Sequence, residues 1–87
     1  MIFYTIRKSG RPTHFFDEKE ETIACAVCQS CEMGRLKRKG ARRGDGYTLT
    51  RQTTDEKGEI VRMAMYDLKK GKWCEDMIIG GGIHGQN

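Results

Sequence analysis

Residues 47–68 limit the fold more than any other part of the chain, because they read as two β-strands joined by a tight turn. Residues 47–53 are rich in β-forming side chains, and residues 59–68 alternate, with Ile60, Ala64 and Tyr66 on one side. Residues 55–58 end in Gly58, which suits the positive-φ end of a hairpin turn. Residues 69–72 form a second turn, and residues 73–79 run back. This segment therefore predicts a three-stranded antiparallel meander.

A further strand is predicted at the beginning of the chain. Residues 1–8 alternate, with Ile2, Tyr4 and Ile6 on one face. The strand is expected to end in a turn, because Gly10 tolerates positive φ and Pro12 fixes its own φ at about −65°.

A helix is predicted over residues 18–33. Asp17 is a suitable N-cap, and Glu20 three residues later completes a capping-box pattern. Gly34 is a candidate for the left-handed residue after the helix. At about 100° per residue, one arc roughly 140° wide holds the residues predicted to face the core: Ile23, Ala24, Val27, Cys28 and Cys31.

Together these elements predict an α+β fold with the order β-α-β-β-β, in which one helix packs on a mostly antiparallel sheet. With 87 residues the chain has room for one core. We expect one domain over residues 1–79 and a flexible glycine-rich tail over residues 80–87. No apolar run approaches the roughly 18 residues of a membrane span, and the N-terminal residues do not resemble a secretion signal. We therefore expect a cytoplasmic protein.

Positive charge is concentrated in one stretch, residues 35–43, called the basic segment from here on. The chain has 16 Lys and Arg against 12 Asp and Glu, a net charge of +4. The basic segment contains six of these bases and no acid: Arg35, Lys37, Arg38, Lys39, Arg42 and Arg43. Such a cluster attracts phosphate groups or an acidic protein surface. The alternative interpretation is a solvated connector that contributes only solubility.

The aromatic residues allow a second interpretation of the sheet. Tyr4, Tyr47, Tyr66 and Trp73 on an open face could stack nucleic-acid bases while Arg51 and Arg62 bind phosphate. The alternative is that these aromatic side chains form the core against the helix.

The cysteines give the most specific chemical signal. Cys25, Cys28 and Cys31 form a double C-x2-C motif, and Cys74 is the fourth cysteine. Two sulfurs one helical turn apart can both reach a zinc ion at about 2.3 Å. In a straight helix Cys25 and Cys31 are about 9 Å apart along the axis, so one ion cannot take all three sulfurs. A Cys3His zinc site would then use two of the three, together with Cys74 and His14.

Two other interpretations of the cysteines stay open. A C-x2-C-x2-C run with a remote cysteine can hold an iron–sulfur cluster, although ferredoxins place a proline after the last cysteine and Cys74 is followed by Glu75. The other is that the thiols are reduced and serve as small apolar side chains.

The sequence contains no convincing catalytic group. A nucleophile–base pair would have to combine a cysteine with His14, and no third group is evident to orient it. We therefore expect a small basic non-enzymatic protein that binds nucleic acid, has a regulatory role and is stabilised by zinc. The alternative is a protein-interaction module, a regulator or inhibitor that docks on an acidic partner, such as a phage or mobile-element accessory protein. A thiol redox or iron–sulfur protein is the weaker alternative.

Overall fold

The computed structural model describes residues 1–79, which form one helix packed on one face of an antiparallel sheet. The helix is α1 (Glu21–Leu36), and the strands in chain order are β1 (Ile2–Lys8), β2 (Arg11–Asp17), β3 (Tyr47–Thr54), β4 (Ile60–Asp67), β5 (Lys72–Trp73) and β6 (Met77–Ile78). The strand order is β2-β1-β3-β4-β5, with β6 also paired to β4. The α+β class, the single helix and the meander are therefore confirmed. The predicted tail, residues 80–87, lies outside the described residues.

Strand β2 is the main difference from the sequence-based prediction. Ser9 and Gly10 both have positive φ, 52° and 82°, so they form a two-residue turn that pairs Lys8 with Arg11. The chain therefore folds straight back along β1 instead of leading directly to the helix. Pro12 is tolerated because β2 is an edge strand and the pairing shifts between Ile6 and Arg7.

The start of the helical region agrees with the predicted capping box. The backbone N–H of Lys19 donates to Asp17 Oδ1 at 2.9 Å, and the N–H of Asp17 donates to Glu20 Oε1 at 2.8 Å. A short 3-10 helix, Glu18–Glu20, precedes α1. The predicted end was wrong, because Gly34 lies inside α1 and the helix continues to Leu36.

The core lies between α1 and the two central strands. Its fully buried apolar members are Tyr4 and Ile6 from β1, Leu49 from β3, and Ala24 and Cys28 from α1. Ile6 pairs directly with Leu49, so both side chains face the helix. Ile23 was predicted to face the core, but 52% of it is exposed. The buried stripe of α1 is therefore narrower than predicted and centred on Ala24 and Cys28.

The predicted last strand, residues 73–79, is observed as two short strands, β5 and β6, which both pair with β4. Tyr66 pairs with Trp73 in β5, whereas Met63 pairs with Met77 in β6. These two pairings differ in register by one residue, which marks a bulge between them. Within residues 1–79, no helix is long and apolar enough to cross a membrane.

Candidate nucleic-acid interface

The basic segment spans the end of α1 and the loop that leads to β3. Arg35 lies in the last turn of α1, and Lys37 caps the helix with its N–H donated to the carbonyl of Met33 at 3.2 Å. Further along, the N–H of Arg38 donates to the carbonyl of Arg35 at 3.1 Å, and that of Ala41 to the carbonyl of Arg38 at 3.4 Å. The segment is therefore folded into successive turns against the end of the helix.

Arg35 organises this loop instead of facing solvent. Its Nε donates to Glu32 Oε1 at 2.8 Å and its Nη2 donates to Glu32 Oε2 at 2.9 Å. Its Nη1 donates to the backbone carbonyl of Arg42 at 2.7 Å, and its side chain is only 11% exposed. The hydrogen bond from Arg35 holds the pKa of the Glu32 carboxyl below its usual value. Among the six bases of the segment, Arg35 therefore has its guanidinium hydrogen-bonded within the protein.

The other five bases of the segment, called the loop cations, are exposed: Lys37, Arg38, Lys39, Arg42 and Arg43. In the part of the chain that the structure describes, none of them forms an ion pair. Arg38, Lys39 and Arg42 line a hollow of about 170 Å³, together with Lys8, the ion-paired Arg35 and the acidic Asp45. Several positive charges therefore converge on one small concave surface, called the basic hollow.

Lys8 was missed by the sequence analysis. It is the last residue of β1 and pairs with Tyr47, the first residue of β3. The sequence predicted that β1 joins the meander. No pattern in the sequence indicated the register between β1 and β3, which places Lys8 beside the loop.

The structure does not bring Arg51 and Arg62 to the basic segment. Arg51 Nη2 donates to Asp76 Oδ1 at 2.6 Å, and its guanidinium lies 4.8 Å from the centre of the Trp73 ring. Arg62 is exposed and pairs with Thr53. The loop joins β3 at its first residue, Tyr47, whereas Arg51 lies in the middle of β3 and Arg62 pairs near its far end. The two arginines therefore lie apart from the loop cations.

Three of the four aromatic side chains considered as a stacking platform pack together on the helix side of the sheet. The Trp73 ring lies 5.7 Å from that of Tyr4 and 5.2 Å from that of Tyr66. Glu21 of α1 accepts from the Tyr4 hydroxyl at 3.0 Å and from Trp73 Nε1 at 2.9 Å. Burial raises the pKa of Tyr4 to about 12. Their contacts are thus with the helix and with each other.

The cysteines of α1 lie along its inner side, and Cys28 is fully buried. Burial raises the pKa of the Cys28 thiol to about 12 and also raises that of Cys25. Cys25 and Cys31 are half-buried, and Cys74 is exposed. The packing of Cys28 between α1 and the sheet is that of a small apolar core residue.

The predicted zinc ligands are not gathered at one point in this structure. His14 lies on β2, where it stacks on Phe16, while the N–H of Cys74 donates to the carbonyl of Met65 just after β5. These strands are the two edges of the sheet, about 19 Å apart at the usual strand spacing. Within residues 1–79, no three His, Cys, Asp or Glu side chains lie close enough to share a metal ion. Zinc or iron–sulfur binding stays a prediction.

Comparison with known protein families, with characterised proteins and with solved structures finds no match to this chain.

Proposed function

We propose that this chain is a small non-enzymatic nucleic-acid-binding protein that contacts phosphate groups through its loop cations. The observation that carries this proposal is the separation of the basic segment into two parts. Arg35 holds the loop in place through its hydrogen bond to the Arg42 carbonyl. The five loop cations are exposed and lie around and beside the basic hollow. The same hydrogen bond holds the loop cations together at the end of α1.

Electrostatic attraction is the expected source of affinity. Cations that neutralise phosphates release condensed counterions, so binding weakens steeply as salt rises. Lys8 and the loop cations come from two different elements, which lets them surround a phosphate instead of contacting it from one side. Because the contacts go to phosphates, we expect weak dependence on base sequence from this surface alone.

The test replaces Arg38, Lys39, Arg42 and Arg43 together with glutamine. Binding to a labelled oligonucleotide is expected to be lost at moderate salt, and the salt dependence of log K should become shallower by about 3, at about 0.7 per phosphate contact. The matched control replaces four exposed lysines outside the loop with glutamine: Lys19, Lys57, Lys70 and Lys72. It removes the same charge, so retained binding in the control locates the interface. A loop variant that binds as well as the parent makes the segment a mere linker.

A second candidate function is docking on a protein partner, which would combine the loop cations, facing an acidic surface, with the face of the sheet opposite α1. Across this face Phe15, Thr5, Thr50 and Met65 are paired in one row. Phe15 and Met65 are exposed, and so is Met77 in the neighbouring row. Phe15 and Met65 stand on either side of the buried Thr5 and Thr50. Exposed apolar side chains on one face are typical of protein-interaction surfaces.

A pull-down from nuclease-treated lysate separates the two functions. The docking function predicts a stoichiometric partner that survives nuclease and moderate salt and is lost with Phe15→Ser and Met65→Ser. The nucleic-acid function predicts that nuclease removes everything retained by the parent chain.

A further inference from the structure

A wide groove runs between the C-terminal half of α1 and the sheet, where β3 begins and β4 ends. Its volume is about 630 Å³, within the range of ligand-binding pockets. One wall consists of Met33 and Leu36, which are 59% and 61% exposed. The opposite wall includes Tyr47, Tyr66 and Leu68. The groove is thus an apolar surface with aromatic rings and is not filled by any side chain of residues 1–79.

The groove ends where the loop cations begin. Leu36 lines the groove, and the next residue, Lys37, is the first loop cation. On the other side Tyr47 also lines the groove, and Lys8 Nζ lies 5.8 Å from the centre of its ring. Lys8 in turn lines the basic hollow. An apolar, aromatic groove therefore borders directly on a cluster of positive charge.

The lining of the groove favours nucleobases over an acidic peptide. The charged residues of the lining are Glu32, Asp67 and Lys69, and hydrogen bonds hold the pKa of each carboxyl group below its usual value. Arg35 neutralises the Glu32 carboxylate through its ion pair, and Lys69 balances Asp67, so the lining carries no excess positive charge to hold acidic side chains. Nucleobases instead carry amino groups that the Asp67 carboxylate can accept from. Their flat faces can stack on the Tyr47 ring, whereas the Tyr66 ring already packs on Trp73.

We propose, on the basis of the nucleic-acid function above, that the groove receives an unstacked base of a single-stranded nucleic acid while the loop cations hold the adjoining phosphates. A duplex keeps its bases stacked inside, so it can use only the loop cations. The groove therefore makes the protein selective for single strands.

The experiment measures binding of labelled DNA and RNA strands of about 12 nucleotides, and of the DNA duplex of the same sequence, to the full chain. The parent is expected to bind at least one of the two single strands about tenfold or more tightly than the duplex, which corresponds to one stacked base. Met33→Ser with Leu36→Ser should remove this preference and leave duplex binding unchanged. The control pair, Ile23→Ser with Ile78→Ser, alters residues that are 52% and 64% exposed outside the groove and should bind as the parent does. Circular dichroism melting confirms that each variant is folded.

The possible outcomes separate this inference from the proposed function. Equal affinity of the parent for strands and duplex, or unchanged strand binding by the Met33 and Leu36 variant, overturns the groove site. If the loop variant still loses binding in that case, the proposed function stands. A parent that binds neither form overturns both. Labelled poly-glutamate at matched charge should bind the parent and the Met33 and Leu36 variant equally, because it can use only the loop cations. Weaker poly-glutamate binding by that variant would overturn the base site in favour of an acidic polypeptide.

Discussion

Glu32 and Arg35 form a bidentate ion pair, with two N–H···O hydrogen bonds of 2.8 and 2.9 Å, in the last turns of α1. The same two side chains reach the rest of the fold. Glu32 Oε1 accepts from the N–H of Tyr47 at 3.0 Å, and Arg35 Nη1 donates to the carbonyl of Arg42 at 2.7 Å. The pair thus joins the end of the helix, the basic segment and the first residue of β3. The two residues of the pair stand on either side of Gly34, inside α1.

The first prediction concerns the stability that this ion pair provides. Glu32→Ala is expected to lower the free energy of unfolding by about 2 kcal/mol, because it leaves the Arg35 guanidinium and the Tyr47 N–H without their acceptor. Glu32→Gln should cost about half as much, since an amide oxygen can still accept from one of them. Urea denaturation measures both. The control Glu56→Ala, at an exposed turn position, should change stability by less than about 0.5 kcal/mol; equal losses at positions 32 and 56 would contradict the prediction.

The second prediction is the pH dependence of the same contribution. The Arg35 hydrogen bond lowers the pKa of Glu32 in the folded chain below its ordinary value of 4.5. Its ionised form is thus favoured by folding, and the contribution is complete above that ordinary value and is lost as pH falls through the folded pKa. The stability difference between the parent and Glu32→Gln should therefore be largest near neutral pH and shrink below pH 4.5.

Urea denaturation of both chains at several pH values measures this difference. The pKa of Asp67 is also lowered, by hydrogen bonds from the N–H groups of Lys70 and Lys69. Both chains contain Asp67, so subtracting one stability curve from the other isolates Glu32. A difference that grows as pH falls would show that the sign is wrong.

Local patterns in the sequence predicted most of the fold. Tyr4 and Ile6 alternate on β1, the hairpin turn ends at Gly58 with φ of 84°, and the Asp17 capping box forms as expected. These features depend on residues close to each other in the chain. Strand β2 escaped prediction because all but one of its residues are exposed. An edge strand of this kind buries too little to require alternating apolar side chains.

The candidate site was predictable as a concentration of charge but not as a surface. The sequence places six bases close together, yet it cannot show that Glu32 removes Arg35 from the set. Nor can it show that Lys8, 27 residues before Arg35 in the chain, joins the hollow. The Glu32–Arg35 pair lies three residues apart on α1, but its links to Arg42 and Tyr47 depend on how the loop packs. The place of Lys8 depends on the register between β1 and β3, which is set by long-range packing.

The third prediction separates a structural arginine from a binding one. Arg51→Gln removes the ion pair with Asp76 and the contact with the Trp73 ring, so it should lower stability by about 1 kcal/mol. Its affinity for an oligonucleotide should stay that of the parent. Arg43→Gln should show the opposite pattern, with unchanged stability and a weaker, less salt-dependent affinity. Oligonucleotide titration and urea denaturation of the two variants check this. A loss of affinity for Arg51→Gln in a folded chain would restore Arg51 to the interface.

The last prediction concerns the cysteines, for which the packing and the zinc hypothesis lead to opposite expectations. Cys28 is fully buried among Ile6, Ala24 and Leu49, so Cys28→Ser places a hydroxyl in the core and should cost about 2 kcal/mol. Cys74 is exposed, so Cys74→Ser should cost less than about 0.5 kcal/mol. A zinc ion held by Cys74 and two cysteines of α1 would instead make both changes costly, because the bound metal contributes directly to folding.

Thermal melting with and without a strong chelator, together with elemental analysis of the purified chain, decides between the two expectations. If the thiols act as apolar side chains, the chelator leaves the melting temperature unchanged and only Cys28→Ser lowers it. A zinc site would show about one zinc per chain and a melting temperature that falls by many degrees with the chelator and with Cys74→Ser alike. About four irons per chain with a brown colour would indicate a cluster. Either metal result would contradict the expectation that the thiols act as apolar side chains and that Cys74→Ser leaves stability unchanged.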